Sequence, residues 1–311
     1  MPIFRIQHIT TYVYDRLIQE SMNEIKIFPI ISPDQIVLQS ELIITGNPEV
    51  NYYFDYWDNK TGNFNVFPPH KELSIDSRVT VQTRQSSDLT INFVSVFDEM
   101  WNEVNGKLKL VELSRPDFIR SQAEILDIAQ AVYSPDHSVA ITIKNCCEYI
   151  FKNFNYIKGI TTVETTVDEI LEKRAGVCQD FAHVMLQVLR VLNIPSRYVS
   201  GYICPNKSGM RGEGATHAWV EAWIPRNGWA GIDPTNNVWV TNTHVKLATG
   251  RHFVDCSPVK GSFRGPANQE LTVFVSIDYE DGQAIQELNN VDLRRVNKAD
   301  QERQFAHQAQ Q

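Results

Sequence analysis

The sequence lacks the features that would place the chain in a membrane or on a nucleic acid. No apolar run approaches the roughly 20 residues of a membrane-spanning helix. The formal net charge is -8, so the chain has no basic footprint for a phosphate backbone. The first eight residues lack the basic-then-apolar pattern of a signal peptide. We therefore expect neither a membrane nor a nucleic acid as a partner, and the oligomeric state stays open.

Cysteine is scarce, and its distribution argues against two further kinds of site. The chain of 311 residues has five cysteines, an odd number at irregular spacing, which argues against a disulfide framework. It has no Cys-x-x-Cys pair of the kind that binds structural zinc. This usage favours a reducing compartment, and we expect the cytoplasm. Such a compartment would also keep a reactive thiol in its working form.

One stretch of the chain, residues 174–195, predicts a helix that begins beside a cysteine. Its apolar positions recur at helical spacing: Phe181, Val184, Met185, Val188 and Leu192. Gly176 breaks the preceding segment, so Cys178 lies in or next to the first turn. Unpaired backbone N–H groups and the positive end of the helix dipole favour a thiolate there. Cys178 is therefore a candidate nucleophile, and a buried structural cysteine is the alternative for this residue taken alone.

Two predicted strands downstream carry a histidine and an aspartate. Residues 216–224 alternate like a strand and place His217, Trp219 and Glu221 on one face. An Asn-Gly turn signal follows, and the next predicted strand ends at Asp233. A thiol, an imidazole and a carboxylate are the nucleophile, the base and the orienting group of an activated-thiol site.

The turn between these two strands decides whether the carboxylate can reach the imidazole. A simple two-residue turn at residues 227–228 would place Asp233 opposite Ala222, on the face away from His217. Asp233 then needs a bulge, a longer loop or a bend after Ile232 to swing round. Strand arithmetic alone therefore does not bring the two side chains together.

These motifs resemble the transglutaminase-like cysteine enzyme superfamily, and more closely its bacterial branch of transglutaminase-like cysteine peptidases. The resembling segments are residues 176–183, 195–202, 216–221, 231–236 and 250–261. The resemblance implies that Cys178, His217 and Asp233 form a triad. It also implies a β-domain ahead of the enzyme core. A branch of the superfamily that cleaves glycans from asparagine usually carries paired Cys-x-x-Cys zinc motifs, which are absent here.

The pattern of segments predicts an α+β protein in three parts. An all-β sandwich over residues 1–113 is predicted by short alternating segments at 3–14, 24–28, 35–44, 50–57, 64–67, 73–83 and 90–97. Helical periodicity then appears at 118–132, 138–154 and 167–174. With the resemblance, it predicts a transglutaminase/papain-like core over 114–282, with helices packed on an antiparallel sheet. Residues 283–311 are polar and Gln-rich, and we assign no structure to this tail.

No chemistry is predicted in the β-domain. His8 and His70 are lone histidines, which we interpret as surface or hydrogen-bonded residues.

The resemblance implies acyl transfer, without a cofactor or a metal, from a peptide or protein substrate. His217 would take the proton of Cys178, and the thiolate would attack an amide carbonyl to leave a thioester. Water as acceptor would make the chain a peptidase or amidase, whereas an amine would make it a transglutaminase. We favour hydrolysis because no second-substrate feature is evident in the sequence.

The remaining site residues are candidates only. The backbone N–H of Cys178 is one donor for the oxyanion, and Tyr156 or, after it, the Gln179 side chain is the second. Trp219 shares a strand face with His217 and is the candidate for lining the substrate cleft.

Two rival functions belong to other classes. A metal site could draw on Cys178, His183 and His217 together with Cys204 or His244. However, five residues separate Cys178 from His183, which places them about 140° apart around a helix. The other rival is a non-enzymatic peptide-binding module in which the triad is a relic.

Overall fold

The N-terminal part of the chain consists of strands, as the alternating pattern predicts. The computed structural model describes residues 1–84, 91–133, 138–204, 210–212, 216–279 and 284–291. The first strands are β1 (Ile3–Ile18), β2 (Glu20–Ile25), β3 (Gln35–Ile44), β4 (Asn51–Phe54), β5 (Lys60–Val66) and β6 (His70–Thr83). Along β1 and β6 buried and less buried residues alternate, because successive side chains of a strand point to opposite faces.

The central part of the chain contains the helices and a separate sheet. Its helices are α1 (Phe97–Val104), α2 (Leu108–Leu113), α3 (Gln122–Val132), α4 (Val139–Asn153), α5 (Val167–Lys173), α6 (Cys178–Val191) and α7 (Phe253–Cys256). Its strands are β7 (Asn155–Tyr156), β8 (Ala175–Gly176), β9 (Ser196–Ile203), β10 (Thr216–Ile224), β11 (Gly228–Asp233), β12 (Val238–Trp239) and β13 (His244–Gly250). The α+β class is therefore confirmed.

Helix α6 packs against the central sheet, whose strand order is β12-β11-β10-β9-β13. Along β10 every second residue, including Val220 and Ala222, joins the same apolar cluster as Phe181 and Val184 of α6. Burial of a large apolar side chain such as Val220 or Phe181 contributes about 1.5–3 kcal/mol. The other face of β10 carries His217, as the alternation predicts.

The chain then returns to the sheets in which it began. Its last described strands are β14 (Val259–Arg264), β15 (Gln269–Tyr279) and β16 (Ala284–Val291). β14 pairs with β2, and β15 lies between β1 and β16. The predicted division assigns residues 259–282 to the core and leaves 283–291 without structure. The hydrogen bonds of β14, β15 and β16 instead place these strands in the N-terminal sheets. Residues 280–283 and 292–311 lie outside the described part.

One face of the long N-terminal sheet packs against two other sheets. Its order is β16-β15-β1-β6-β3, and the second N-terminal sheet has the order β14-β2-β5-β4. At one end of the face, Leu73 and Ile75 pack with Ile25 and Phe64 of the second sheet, which forms the predicted sandwich. At the other end, the face meets the central sheet in a cluster that contains Phe4, Ile6, Val79, Val81, Tyr202, Cys204, Val245, Leu247, Val275 and Ile277.

One predicted strand is absent from the structure, and a helix begins at its last residue. Residues 90–97 read as alternating, but residues 91–96 are not strand and α1 begins at Phe97. Phe97, Met100 and Val104 lie at helical spacing and are buried in the core cluster around α6. The helical part of the chain therefore begins before the predicted boundary at residue 114. Its amphipathic pattern is short and directly follows an apolar run, so the sequence reads as an alternating strand.

None of the helices in the described part of the chain combines the length and the apolarity needed to cross a membrane.

An ion-pair group ties three strands of the central sheet together, and it supports a prediction about stability. Glu221 of β10 accepts from Arg197 of β9 at 2.7 Å and from the Lys246 ammonium of β13. Burial opposes the charge of this carboxylate, but the two cations outweigh it and lower the pKa of Glu221 to about 2. Glu221→Gln leaves both cations unpaired. We expect it to lower the free energy of unfolding by about 3 kcal/mol at neutral pH.

Chemical denaturation at several pH values tests this. Because the pKa of Glu221 is lowered on folding, the stabilisation is present at neutral pH and is lost as the pH falls towards 2. The difference between parent and variant should therefore shrink in acid. Glu148→Gln is the control, since Glu148 pairs with Lys152 on the exposed surface of α4. If Glu221→Gln lowers the free energy of unfolding no more than Glu148→Gln does, the buried group adds no stability beyond that of a surface ion pair.

Candidate active site

The start of α6 is shaped to hold Cys178 at its first residue. The Asp180 carboxylate accepts from the Val177 N–H at 2.7 Å and from the Thr161 hydroxyl at 2.6 Å. A Cβ at Gly176 would lie 2.4 Å from that carboxylate, so only glycine fits there. These contacts fix the helix start. The Cys178 N–H, as the first of α6, has no acceptor within the helix and is available for a ligand oxygen.

Cys178 is also the accessible thiol of the chain. It is partly exposed, whereas the other four cysteines, Cys146, Cys147, Cys204 and Cys256, are buried and all five are unpaired. Burial raises the pKa of each of those four thiols above its ordinary value. Reactivity with a solvent-borne electrophile therefore concentrates at Cys178.

The length of the turn between β10 and β11 determines on which face of the sheet Asp233 lies. The strands pair Val220 with Ile232 and Ile224 with Gly228, so residues 225–227 form a three-residue turn. The turn uses left-handed backbone at Arg226 (φ 63°) and Gly228 (φ 81°). This register differs from the two-residue alternative and places Asp233 on the face of β10 that carries His217. The longer loop was one of the three solutions that the sequence left open.

His217 and Asp233 meet in the interior. The imidazole Nε2 donates to Asp233 Oδ2 at 2.9 Å, and both side chains are completely buried. The same carboxylate accepts from the Thr235 N–H at 2.8 Å and from the Asn236 amide at 2.7 Å. Burial opposes its charge, but His217 and the hydrogen bonds outweigh burial and hold the pKa of Asp233 well below its usual range. Asp233 is therefore a fixed negative charge under the imidazole.

The charge on Asp233 makes His217 a cation at neutral pH. Burial lowers the pKa of an imidazole, but the attraction of Asp233 and Cys178 and the hydrogen bond to Asp233 reverse this effect. Together they raise the pKa of His217 to about 10. Since Nε2 is bonded to Asp233, Nδ1 is the nitrogen left for Cys178, and Nδ1 has no other hydrogen-bond partner among the described residues. The arrangement supports an imidazolium beside the sulfur of Cys178.

Two residues that steady the carboxylate, Asn236 and His244, are not predicted from the sequence to belong to the triad site. Asn236 donates to Asp233 and accepts from the Arg211 N–H at 2.7 Å, which ties the segment before His217 to the site. His244 of β13 lies 3.5 Å from Asp233, through its Nε2. Burial lowers the pKa of His244, so its ring is neutral. Asn236 follows Asp233 by three residues and could have been noticed, whereas the sequence suggests His244 only as a ligand of the rival metal site.

A cleft of about 430 Å³ opens at Cys178 and His217. Its walls come from both halves of the molecule. The central part contributes Tyr198, Ser200, Leu247 and Phe253, and the N-terminal sheets contribute His8, Thr10, Tyr12, Tyr14, Gln269, Leu271 and Val273. The β-domain, for which no chemistry is predicted, therefore forms part of the candidate site.

His8 is hydrogen-bonded, as predicted, although it borders the cleft. Its Nδ1 lies 2.8 Å from the Tyr202 hydroxyl, and its Nε2 lies 3.3 Å from the Thr10 hydroxyl. Burial lowers the pKa of His8 to about 4, so the ring is neutral at physiological pH.

Comparison with known proteins decides the family. The model of the transglutaminase-like superfamily matches residues 127–234, and that of the bacterial transglutaminase-like N-terminal region matches residues 4–82. An uncharacterized protein of Mycobacterium leprae is 30% identical over 280 residues, which cover 88% of this chain and 97% of that protein. The chain belongs to the transglutaminase-like superfamily. The resemblance read from the motifs is confirmed.

Two further relatives show the fold and the reach of the similarity. The solved structure of a "Putative Cysteine Protease" from Cytophaga hutchinsonii superposes with a TM-score of 0.68 at 21% identity, over 95% of this chain and 92% of that one. A protein-glutamine gamma-glutamyltransferase of Pseudomonas aeruginosa is 34% identical over 126 residues, which are 38% of this chain and 18% of that protein. The first shares the fold of this superfamily member throughout, and the second matches a limited segment.

The two candidates for the second oxyanion donor lie on either side of the helix start. Tyr156 of β7 pairs with Gly176 of β8, and its ring packs on Phe181 at 6.3 Å between centroids. Gln179 lines the cleft, and its amide donates to the Val163 carbonyl at 3.4 Å. Both residues remain candidates on this geometry.

Trp219 does not line the cleft, contrary to the sequence-based expectation. Its side chain is completely buried, with its ring 6.4 Å from that of His217 and 5.3 Å from that of His244. The indole lies over Gly201, where a Cβ would come within 2.5 Å of it. Trp219 therefore shares a strand face with His217 but lines a second cavity, of about 720 Å³, instead of the cleft.

Two residues of the metal alternative, His183 and Cys204, are engaged elsewhere. His183 accepts from the Phe253 N–H at 3.3 Å, and Cys204 is buried at the interface of the two halves. Within the described ranges, no group of three or more His, Cys, Asp and Glu side chains could hold a metal ion.

Alkylation at limiting iodoacetamide tests the accessibility and activation of Cys178. Near neutral pH we expect Cys178 to react at least about tenfold faster than any other cysteine, because it is exposed and faces a cation. Peptide mass mapping of the labelled sites gives the rates. Unfolded protein is the control, in which the five thiols should react alike. Equal rates in the folded protein would contradict an activated Cys178 and favour a binding module without catalysis.

Proposed function

We propose that this superfamily member is a thiol enzyme that transfers the acyl group of an amide to water through a thioester on Cys178, which makes it a cysteine peptidase or amidase. One observation carries the proposal: the accessible thiol sits at a helix start beside a buried imidazole that Asp233 keeps protonated.

The first half of the reaction uses the charges already in place. The Cys178 thiolate attacks the amide carbonyl carbon, and negative charge moves to the carbonyl oxygen. The Cys178 N–H donates to this oxyanion, and a donor in this position contributes about 3–4 kcal/mol. The imidazolium Nδ1 of His217 gives its proton to the leaving nitrogen, the C–N bond breaks, and the acyl group stays on sulfur as a thioester.

The second half restores the resting state. His217 is now neutral, and its Nδ1 accepts a proton from water as the water oxygen attacks the thioester carbonyl. The carbon–sulfur bond breaks, the carboxylic acid leaves, and the thiolate and imidazolium form again. Throughout, Asp233 holds the Nε2–H side of the ring, so that Nδ1 stays directed at the reacting atoms.

An amine in place of water is the second candidate, which would make the chain a transglutaminase. The relative in Pseudomonas aeruginosa, whose name gives this activity, favours it over the matched segment. Both reactions use the same Cys178, His217 and Asp233. The choice depends on which acceptor reaches the thioester first, so competition between the two acceptors separates them.

Incubation with a broad peptide library, with and without a primary amine, tests the proposal. We expect new peptide ends or released ammonia from the parent, and a loss of at least about a thousandfold in Cys178→Ala. Mass spectrometry of the products gives the measurement. Cys146→Ala is the matched control, because Cys146 is buried away from the cleft and should leave the activity intact.

The products also identify the acceptor. Free acids in the presence of the amine support hydrolysis, whereas amine-modified products support the transglutaminase alternative. If Cys178→Ala forms every product at the rate of the parent, the nucleophile has been assigned wrongly.

A further inference from the structure

The inward face of β1 and β15 continues from the interface of the two halves into the cleft. The strands pair antiparallel, so that Ile6 lies opposite Ile277 and Tyr12 lies opposite Leu271 on the same face. At one end, Phe4, Ile6, Val275 and Ile277 are buried under the central sheet. At the other end, three successive pairs border the cleft: Thr10 with Val273, Tyr12 with Leu271, and Tyr14 with Gln269. We call these six residues the cleft wall.

The position of the cleft wall is fixed by the interface beside it. The buried end of the same two strands is held by packing against Tyr202, Val245 and Leu247 of the central sheet. His8, between the buried end and the cleft wall, is hydrogen-bonded to Tyr202 across the interface. The cleft wall is therefore a preformed surface, held at a set position relative to Cys178 and His217.

Outside the reacting groups, the described lining of the cleft is mainly apolar, with uncharged polar side chains among it. Phe263 and Val259 extend the cleft wall, and Leu247, Tyr198 and Phe253 face it from the central part. No Asp, Glu, Lys or Arg occurs among the described residues that line the cleft. The second cavity differs, since it is lined by charged residues that include Arg84, Glu221 and Lys246.

This composition selects among substrate side chains by their desolvation. A charged side chain that enters the cleft loses its water and finds no counter-ion in the described lining, which strongly disfavours it. A large apolar or aromatic side chain instead buries its surface against the tyrosines and aliphatic residues. The cleft volume of about 430 Å³ is in the range of small-molecule sites and leaves room for such a side chain beside the amide.

We propose that the N-terminal β-domain determines substrate specificity, with the cleft wall holding a large uncharged, apolar or aromatic side chain of a peptide next to the amide that Cys178 attacks. This inference rests on the proposed function for the attack itself. It concerns a separate property, which is the class of peptide that the cleft accepts.

Covalent labelling by peptidyl electrophiles tests the proposal without requiring turnover. The probes are short peptidyl fluoromethyl ketones that differ only in the residue next to the reactive group: Phe, Leu, Ala, Lys or Glu. We expect the Phe and Leu probes to label Cys178 at least about tenfold faster than the Lys and Glu probes at low probe concentration. Equal rates for all five probes would overturn the proposal.

Substitution of the cleft wall should change the order of the probes. Leu271 is partly buried on the cleft wall and belongs to none of the core clusters, so Leu271→Asp adds a carboxylate to the cleft without emptying the interior. We expect it to slow labelling by the Phe probe about tenfold and to speed labelling by the Lys probe. Gln269→Glu, which keeps the volume of the side chain, should change the order in the same direction and serves if Leu271→Asp folds poorly.

A matched substitution on the other face of the same strand controls for general effects of charge. Val13 lies between two residues of the cleft wall, but its side chain is 45% exposed on the opposite face of β1. Val13→Asp should leave the order of the probes unchanged. If Leu271→Asp and Gln269→Glu also leave it unchanged, the cleft wall does not select the substrate. If iodoacetamide labels Cys178 and no peptidyl probe does, the inference is likewise overturned. Cys178 unreactive towards every reagent would instead overturn the proposed function.

Discussion

The candidate site depends on one interaction, the hydrogen bond between a buried carboxylate and a buried imidazole. Neither charge would be stable alone in the interior, because burial disfavours each of them. Asp233 and His217 compensate each other at 2.9 Å, and the Thr235 N–H and the Asn236 amide satisfy further positions of the carboxylate. The result is an imidazolium held next to Cys178. Since the charge is in place before a substrate arrives, reorganisation during the reaction is small.

The fold around this pair serves to keep it in register. Helix α6 sets the thiol and two strands of the central sheet set the other two side chains, so three elements must be fixed relative to one another. The apolar cluster between α6 and β10 fixes the first distance. The ion-pair group of Glu221 ties β10 to β9 and β13, and β13 carries His244 to the carboxylate. The N-terminal sheets close the other side of the cleft, which gives the two halves of the molecule one shared site.

Much of the site could be predicted because its determinants are local in sequence. The start of α6 follows from Gly176 and from the helical apolar stripe that comes after Cys178 in the sequence, whereas the contacts of the Asp180 carboxylate emerge only in the structure. The strand that carries His217 follows from alternation. The family follows from motifs in their order along the chain, and the comparisons confirm it. The turn before β11 was left open, since an Asn-Gly pair signals a turn without fixing its length.

The features that could not be predicted depend on contacts distant in sequence. His244 reaches Asp233 only because β13 pairs with β9. Trp219 shares a face with His217, but the strands that cover it are known only from the sheet order. The last strands pair with strands at the other end of the sequence. Alternation predicts that a segment is a strand but does not predict which strand it pairs with. For the same reason the cleft wall of β1 and β15 could not be predicted, and the role of the β-domain stayed open.

The charge state of His217 tests the central claim most directly. Nuclear magnetic resonance of a protein with labelled histidine rings, titrated across pH, reports when this ring loses its proton. The account predicts that His217 stays protonated at neutral pH and releases its proton near pH 10, and that Asp233→Asn moves this release to much lower pH. An imidazole at position 217 that titrates at the ordinary histidine value in both proteins would contradict the account.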